Sequence, residues 1–99
     1  MPVFILDMKH SPEMCPMFND KVGRMFKEQY NKIEEIADKL EIKILINLGV
    51  FNEHYILIIV EAPSIEAVES FIMEMNFFSF NKITLRHAQY SDDIMKGMN

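Results

Sequence analysis

The sequence has few of the residues that common functional motifs require. Its 99 residues include one cysteine, three glycines and no tryptophan. A single cysteine excludes an intramolecular disulfide, and three isolated glycines form no glycine-rich phosphate loop. The CxxC, HExxH and GxSxG patterns do not occur either. The sequence therefore gives no support to an iron–sulfur protein, a nucleotide-binding protein or a serine hydrolase.

Positive charge is also scarce, with 10 Lys and Arg against 15 Asp and Glu and a net charge of −5. Nucleic-acid-binding domains usually need a basic face, so we expect no nucleic-acid partner and no anionic membrane surface. The opening "MPVFILDMKH" has no basic leading region, and its apolar run is too short to cross a bilayer. Together with the unpaired cysteine, this predicts a cytoplasmic protein.

The residues that are present predict one folded domain over residues 1–99, of which 49% are hydrophobic and 25% charged. Apolar alternation predicts strands in "PVFILDMKH", over residues 42–48 and 55–60, and in "KITLRHAQY". Spacings of three and four predict one long helix over residues 18–40, with Gly23 as its weakest position. A second helix over residues 65–75 follows Ser64 as its N-cap. Residues 91–99 are predicted to form a polar tail.

The element order β-α-β-β-α-β predicts a ferredoxin-like α+β fold. Right-handed crossovers give an antiparallel sheet of order 4-1-3-2 with both helices on one face. A consistent register places His10 opposite His54 and Asp7 beside Arg86, with the hairpin turn centred on Asn52. Apolar residues then share the helix-covered face, in pairs that include Met8–Leu85, Leu48–Ile56, Ile46–Ile58 and Ile44–Val60.

The opposite face of this sheet is predicted to be half apolar. It carries Val3, Ile5, Leu45, Leu57, Ile59 and Ala88 among Asp7, Lys9, Asn47, Tyr55, Thr84 and Arg86. So much exposed apolar surface is unusual for a sheet face that stays in water. We therefore expect a partner sheet to cover it and to enclose a partly polar cavity.

The element order, this half-apolar face and the segments "KHSPEMCP" and "LGVFNEHYILIIVEAPSIEAVESFI" resemble the dimeric α+β barrel superfamily. The similarity covers nearly the whole chain and extends to small prokaryotic proteins with a His-Ser/Thr-Pro-Glu-x-Cys-Pro segment. It implies a homodimer whose two sheets face each other, with association into higher oligomers also open. Superfamily members include monooxygenases, isomerase-like enzymes, haem-handling proteins and ligand-binding proteins, so the fold alone does not select a function.

The strongest candidate site comprises His10, Cys15 and His54, which the topology brings to one edge of the sheet. Two imidazoles and a thiolate suit zinc or copper. Glu13 or Glu53 would be a fourth ligand or an outer partner. The third histidine, His87, falls on the helix-covered face several residues away, at about 3.4 Å per residue, and is expected to be structural.

Two other interpretations of this cluster stay open. In the first, His10 bonds the following loop, His54 is a solvated turn residue and Cys15 fills a small buried space. In the second, His10 activates Cys15 as a metal-free nucleophile.

The second candidate site is on the half-apolar sheet face described above, which has no helices and is called the open face below. There Asp7, Asn47, Tyr55 and Arg86 would bind a small polar or aromatic ligand. The competing interpretation makes Asp7–Arg86 an ion pair within the dimer interface. A carboxylate held by a guanidinium is also a poor general base. We therefore expect a binding protein for a metal or a small organic ligand. The alternatives are a monooxygenase- or isomerase-like enzyme and a purely structural oligomerisation module.

Overall fold

The computed structural model describes residues 1–98 and contains a single sheet with helices on one side. Four strands and four α-helices are found within the described residues. In chain order they are β1 (Val3–Lys9), α1 (Asp20–Tyr30), α2 (Ile33–Lys39), β2 (Lys43–Val50), β3 (Tyr55–Glu61), α3 (Ile65–Glu74), β4 (Lys82–Ala88) and α4 (Ser91–Lys96).

The sheet is antiparallel throughout and has the order β2-β3-β1-β4, which confirms the predicted 4-1-3-2 arrangement and the α+β fold. Strand β1 pairs with β3 as predicted, with Met8 opposite Ile56 and Phe4 opposite Val60. The core lies between the sheet and helices α2 and α3, and the side chains of Leu6, Val60, Val68 and Phe71 in it have no solvent exposure.

The long predicted helix over residues 18–40 is wrong in one respect, because the chain forms two helices there. The break falls at Asn31 and Lys32, where the amide of Lys32 donates to Gln29 O, three residues back, at 2.9 Å. Asparagine is a poor helix former, and such tight bonds are typical of a helix end. Phe18 precedes α1 and is 75% exposed, so it does not belong to the buried stripe.

The predicted hairpin register is correct at Lys43–Glu61 and Ile44–Val60 but wrong beyond them. A β-bulge between Ile44 and Ile46 shifts every later pair by one residue, so that Ile46 faces Ile59 and Leu48 faces Leu57. Because side chains alternate between sheet faces, one extra residue exchanges the faces of all that follow. Ile46 and Leu48 therefore lie on the open face, at 41% and 55% exposure.

The register between β1 and β4 differs from the prediction by two residues. Leu6 pairs with Leu85 and Met8 with Ile83, which leaves Asp7 opposite Thr84. A shift of two residues keeps each side chain on its predicted face. Arg86 still reaches Asp7, although it does so diagonally and not from the directly opposed position.

The predicted polar tail over residues 91–99 begins with the short helix α4, which is exposed along its whole length. Asn99, the last residue of the predicted tail, lies outside the described residues. Within residues 1–98, none of the helices combines the length and the apolar character needed to cross a bilayer.

Candidate metal centre

Two chain segments that bear histidines meet at the edge of the sheet where β1 ends and β3 begins. The amide of His10 donates to the carbonyl oxygen of His54 at 3.1 Å, which extends the β1–β3 ladder by one pair. His54 closes a 3₁₀ turn over Phe51–Glu53 and has left-handed backbone angles, with φ of 52°. The two imidazole rings lie edge to face, with 5.7 Å between centroids.

Cys15 is fixed to the same edge by the loop that leads into α1. A 3₁₀ turn over Pro12–Met14 precedes it, and its carbonyl oxygen accepts from the amides of Phe18 and Asn19 at 3.0 and 2.8 Å. Asn19 in turn caps α1 by accepting from the amide of Val22. Backbone hydrogen bonds therefore fix the position of Cys15, which is only 2% exposed.

Gly23 allows α1 to pack closely against this loop. A Cβ atom at position 23 would lie 2.5 Å from the carbonyl oxygen of Pro16, which is closer than real Cβ contacts. The residue predicted as the weak point of the helix is thus needed for a close backbone approach.

The structure brings His10, Cys15 and His54 together as predicted. One potential ligand atom from each lies within 4.8 Å of the other two, which makes them a group that could hold a metal ion. Neither Glu13 nor Glu53 belongs to this group, and both are exposed. The site therefore presents three potential ligands, all from the protein segments that flank β1 and β3.

Asn81 orients His10, and sequence reasoning did not identify it. Its Nδ2 donates to the carbonyl oxygen of Phe77 at 3.1 Å, so its Oδ1 is the atom that faces His10 Nδ1 at 3.0 Å. An amide oxygen only accepts, which places the proton on Nδ1 and leaves a lone pair on Nε2. Asn81 precedes β4, which pairs with β1, so only the sheet order could have indicated it.

The atoms available for a metal are buried and unpaired. Within residues 1–98, His10 Nε2 and His54 Nδ1 have no hydrogen-bond partner. Leaving a polar atom buried without a partner costs about 1–3 kcal/mol, so native proteins rarely do so without a reason. A bound metal ion would satisfy both nitrogens at once.

An open cavity of about 360 Å³ lies against all three residues. Its walls come from the Cys15 loop, from α1, from the hairpin and from β3. They include Pro16, Met17, Gly23, Phe26, Tyr30, Asn47, Gly49, Phe51, Tyr55 and Ile56. The candidate metal centre therefore forms part of the wall of a largely apolar pocket.

The residues predicted to form a site on the open face lie in two different places. Asp7, Tyr55 and Arg86 do meet, because the Tyr55 hydroxyl donates to one oxygen of Asp7 and the Arg86 guanidinium pairs with the other. They line a cavity of about 460 Å³ together with Lys9, Glu53, Lys82 and Thr84. Asn47 lies on the other face because of the bulge, and its Nδ2 donates to the Tyr30 hydroxyl at 3.0 Å.

The third histidine does not belong to the His10, Cys15 and His54 group, as predicted. His87 pairs with Phe4 across β1 and β4, and its ring stacks on the Phe4 ring with 5.3 Å between centroids. It is exposed, and it does not belong to the cluster.

A scan against protein-family models found no match, and a search of curated proteins found no significant similarity. What can be said of function therefore depends on the chemistry of the residues described above.

Proposed function

We propose that this protein binds a single transition-metal ion through His10 Nε2, Cys15 Sγ and His54 Nδ1. The observation that carries this proposal is that one ligand atom from each of the three residues lies within 4.8 Å of the other two, and that each imidazole has a buried nitrogen without a partner among residues 1–98. Zinc and copper are the metals that best suit two imidazoles and one thiolate. The Asn81 contact resembles the outer hydrogen bond that usually orients a metal-binding histidine.

The direct test is elemental analysis of the protein purified without an affinity tag. We expect about one zinc or copper ion per chain in the wild type, and its loss in His10→Ala and in His54→Ala, since each variant removes one of three ligands. His87→Ala is the matched control, because it removes a histidine outside the cluster and should keep the metal. A wild-type protein that takes up neither metal after both are added back would refute the proposal.

We further propose that two copies associate through the open face of the sheet, as the resemblance to dimeric α+β barrels implies. Support comes from the apolar side chains there, with Leu48 at 55% exposure and Leu57 and Ile59 only half buried. The Tyr55 hydroxyl and the Arg86 guanidinium both contact the Asp7 carboxylate on this face, which favours an interface role for the three residues.

Sedimentation tests the dimer. We expect a particle of twice the 11.7 kDa chain mass, and a monomer for Leu48→Glu, which would bury a charge in the interface. Met73→Glu is the control, because Met73 is equally exposed but lies on α3, away from the open face. A stable wild-type monomer would refute this part of the proposal.

A further inference from the structure

We infer that the metal keeps one coordination position open to the cavity, and that this position takes a small uncharged molecule. That molecule would have one nitrogen or sulfur donor atom and an apolar body about the size of an aromatic ring. The inference rests on the metal centre proposed above and names the class of ligand that this centre would bind.

The open position follows from the number and placement of the protein ligands. Within residues 1–98, only three His, Cys, Asp or Glu residues converge at the site, and zinc and copper commonly take four ligands. On its Nδ1 side the His10 ring contacts Asn81, and the centroid of the Phe80 ring lies 5.7 Å from that of His10. These two residues close this part of the site to a ligand. The cavity borders all three ligands, so the fourth position opens into it.

The lining of this cavity selects against charge. Of the described residues that line it, none is Lys, Arg, Asp or Glu, whereas the open-face cavity is lined by five such residues. A charged molecule would lose its hydration here without gaining a partner of opposite charge. Phe26, Phe51 and Ile56 instead offer apolar surface, and burial of an apolar group against them is favourable.

The size of the cavity is adequate for a ring. Its volume of about 360 Å³ lies in the range of small-molecule sites. An apolar cavity of roughly 150 Å³ already accommodates benzene. A five- or six-membered ring with a further apolar substituent therefore fits beside the metal.

Gly49 keeps this space free. The bulge turns Gly49 toward the helices, opposite Ile56, and a Cβ atom added there would already lie 3.4 Å from the Phe51 ring. A larger side chain at position 49 would occupy part of the cavity, and the nearest atoms to its Cβ would be those of Phe51 and not those of the three proposed ligands.

One polar contact is available at the wall to orient the ligand. Asn47 Nδ2 donates to the Tyr30 hydroxyl oxygen at 3.0 Å, and among the described residues the hydroxyl proton of Tyr30 has no acceptor, so it is available to donate. A ligand that carries a hydrogen-bond acceptor at the end opposite its metal-binding atom would accept this hydrogen bond from Tyr30.

The test uses the protein with Co²⁺ in the site, because the visible spectrum of Co²⁺ reports its ligands. Imidazole, 4-phenylimidazole and acetate are titrated against it. We expect 4-phenylimidazole to change the spectrum and to bind at least tenfold more tightly than imidazole, because its phenyl ring would be buried in the cavity. Acetate should leave the spectrum unchanged at the same concentrations.

Two variants locate the ligand. Gly49→Leu should keep the Co²⁺ spectrum but weaken 4-phenylimidazole binding at least tenfold, whereas Gly97→Leu, outside the cavity, should not. Phe51→Ala, which removes an exposed wall residue, should weaken binding several-fold, and Phe78→Ala, an exposed phenylalanine elsewhere, should have no effect. Unchanged affinity in both Gly49→Leu and Phe51→Ala would overturn the inference.

The two levels of the proposal fail differently. If the protein takes up neither zinc, copper nor Co²⁺, or if Co²⁺ binds independently of Cys15, the metal centre and the inference are both refuted. If Co²⁺ binds but no titrant changes its spectrum, only the open position is refuted. A response to 4-phenylimidazole that appears only in Met17→Leu would show that the Met17 sulfur, at the cavity wall, fills the fourth position, and would also overturn the inference.

Discussion

The two longest helices, α1 and α3, cover the same face of the sheet but pack against it differently. Helix α3 buries Val68 and Phe71 completely, and both belong to the main core. Helix α1 has one buried residue, Val22, which is 6% exposed, and it presents Gly23, Phe26 and Tyr30 to the cavity. One helix thus closes the core while the other forms a wall of the candidate site, although both begin as amphipathic segments.

Three features of the chain cause this difference. The break at Asn31–Lys32 separates α1 from α2, so that α2 alone continues into the core. The bulge in β2 places Asn47 and Gly49 beneath α1, where larger apolar residues would have filled the space. The close contact of Gly23 with Pro16 holds α1 against the Cys15 loop. Together they leave a cavity on one side of a well-packed core.

The largest effect on stability is expected from Phe71→Ala in α3. Phe71 has no exposure, and removing a buried aromatic ring costs about 3–5 kcal/mol because a cavity remains. Phe26→Ala in α1 is the matched variant and should cost less than half as much, since Phe26 is only partly buried beside an existing cavity. Urea denaturation measures both, and equal losses would contradict the contrast between the helices.

The next largest effect is expected for Asn81→Ala and is a loss of metal affinity. Removing the partner of a metal-binding histidine typically weakens metal binding 10–100-fold, which corresponds to about 1.4–2.7 kcal/mol. We expect this loss because His10 Nδ1 would no longer be oriented. Asn52→Ala, in the exposed hairpin turn, is the control. A competition titration with a chelator of known affinity gives the ratio, and identical affinities would rule out the orienting role.

A smaller effect, of about 1 kcal/mol or more, is expected for Gly23→Ala. In an ordinary helix this change is stabilising, because alanine is the better helix former. Here the new Cβ atom would clash with Pro16 O, so we expect destabilisation and a displaced Cys15 loop. Gly97→Ala has ordinary contacts and should be nearly neutral. If thermal unfolding shows that Gly23→Ala is the more stable protein, the close approach is not required.

The smallest effect is expected for Phe51→Ala at the rim of the cavity. Phe51 is 69% exposed, and substitutions of exposed residues usually change stability by less than about 0.5 kcal/mol. A loss above 1 kcal/mol in urea denaturation would mean that the hairpin turn contributes to the core. Comparison with the ligand titration separates a role in binding from a role in folding.

The sequence was sufficient to predict the four strands, the sheet order and the pairing of β1 with β3, although not the break between α1 and α2 or the helix α4. These follow from apolar periodicity and from the handedness of crossovers, which are local or general properties. It was not sufficient for the β2–β3 register beyond Ile44, because the alternating side chains of β2 are compatible with either assignment of residues to the two sheet faces. The extra residue at the bulge is recognised only when both strands are seen in pairing.

For the candidate site too, the sequence predicted some features and not others. His10 and His54 were predicted to be neighbours from the strand pairing, and Cys15 from its position on the short loop that follows. Asn81 and the cavity were not predicted, since the predicted β1–β4 register was wrong by two residues and placed Ile83 opposite His10, and since the cavity depends on Gly49 facing inward. Asn47 was predicted for the open face and lies instead on the cavity wall.

The sequence by itself determined which residues with metal-binding chemistry lie at one edge of a ferredoxin-like sheet, because strand order follows from periodicity and chirality. Only the tertiary structure decided that His10 presents its Nε2 atom and that a cavity opens beside it. The physical reason is that both depend on contacts between residues far apart in the chain. The Asn81 amide selects the imidazole proton, and one additional residue in β2 reverses which side chains face the helices.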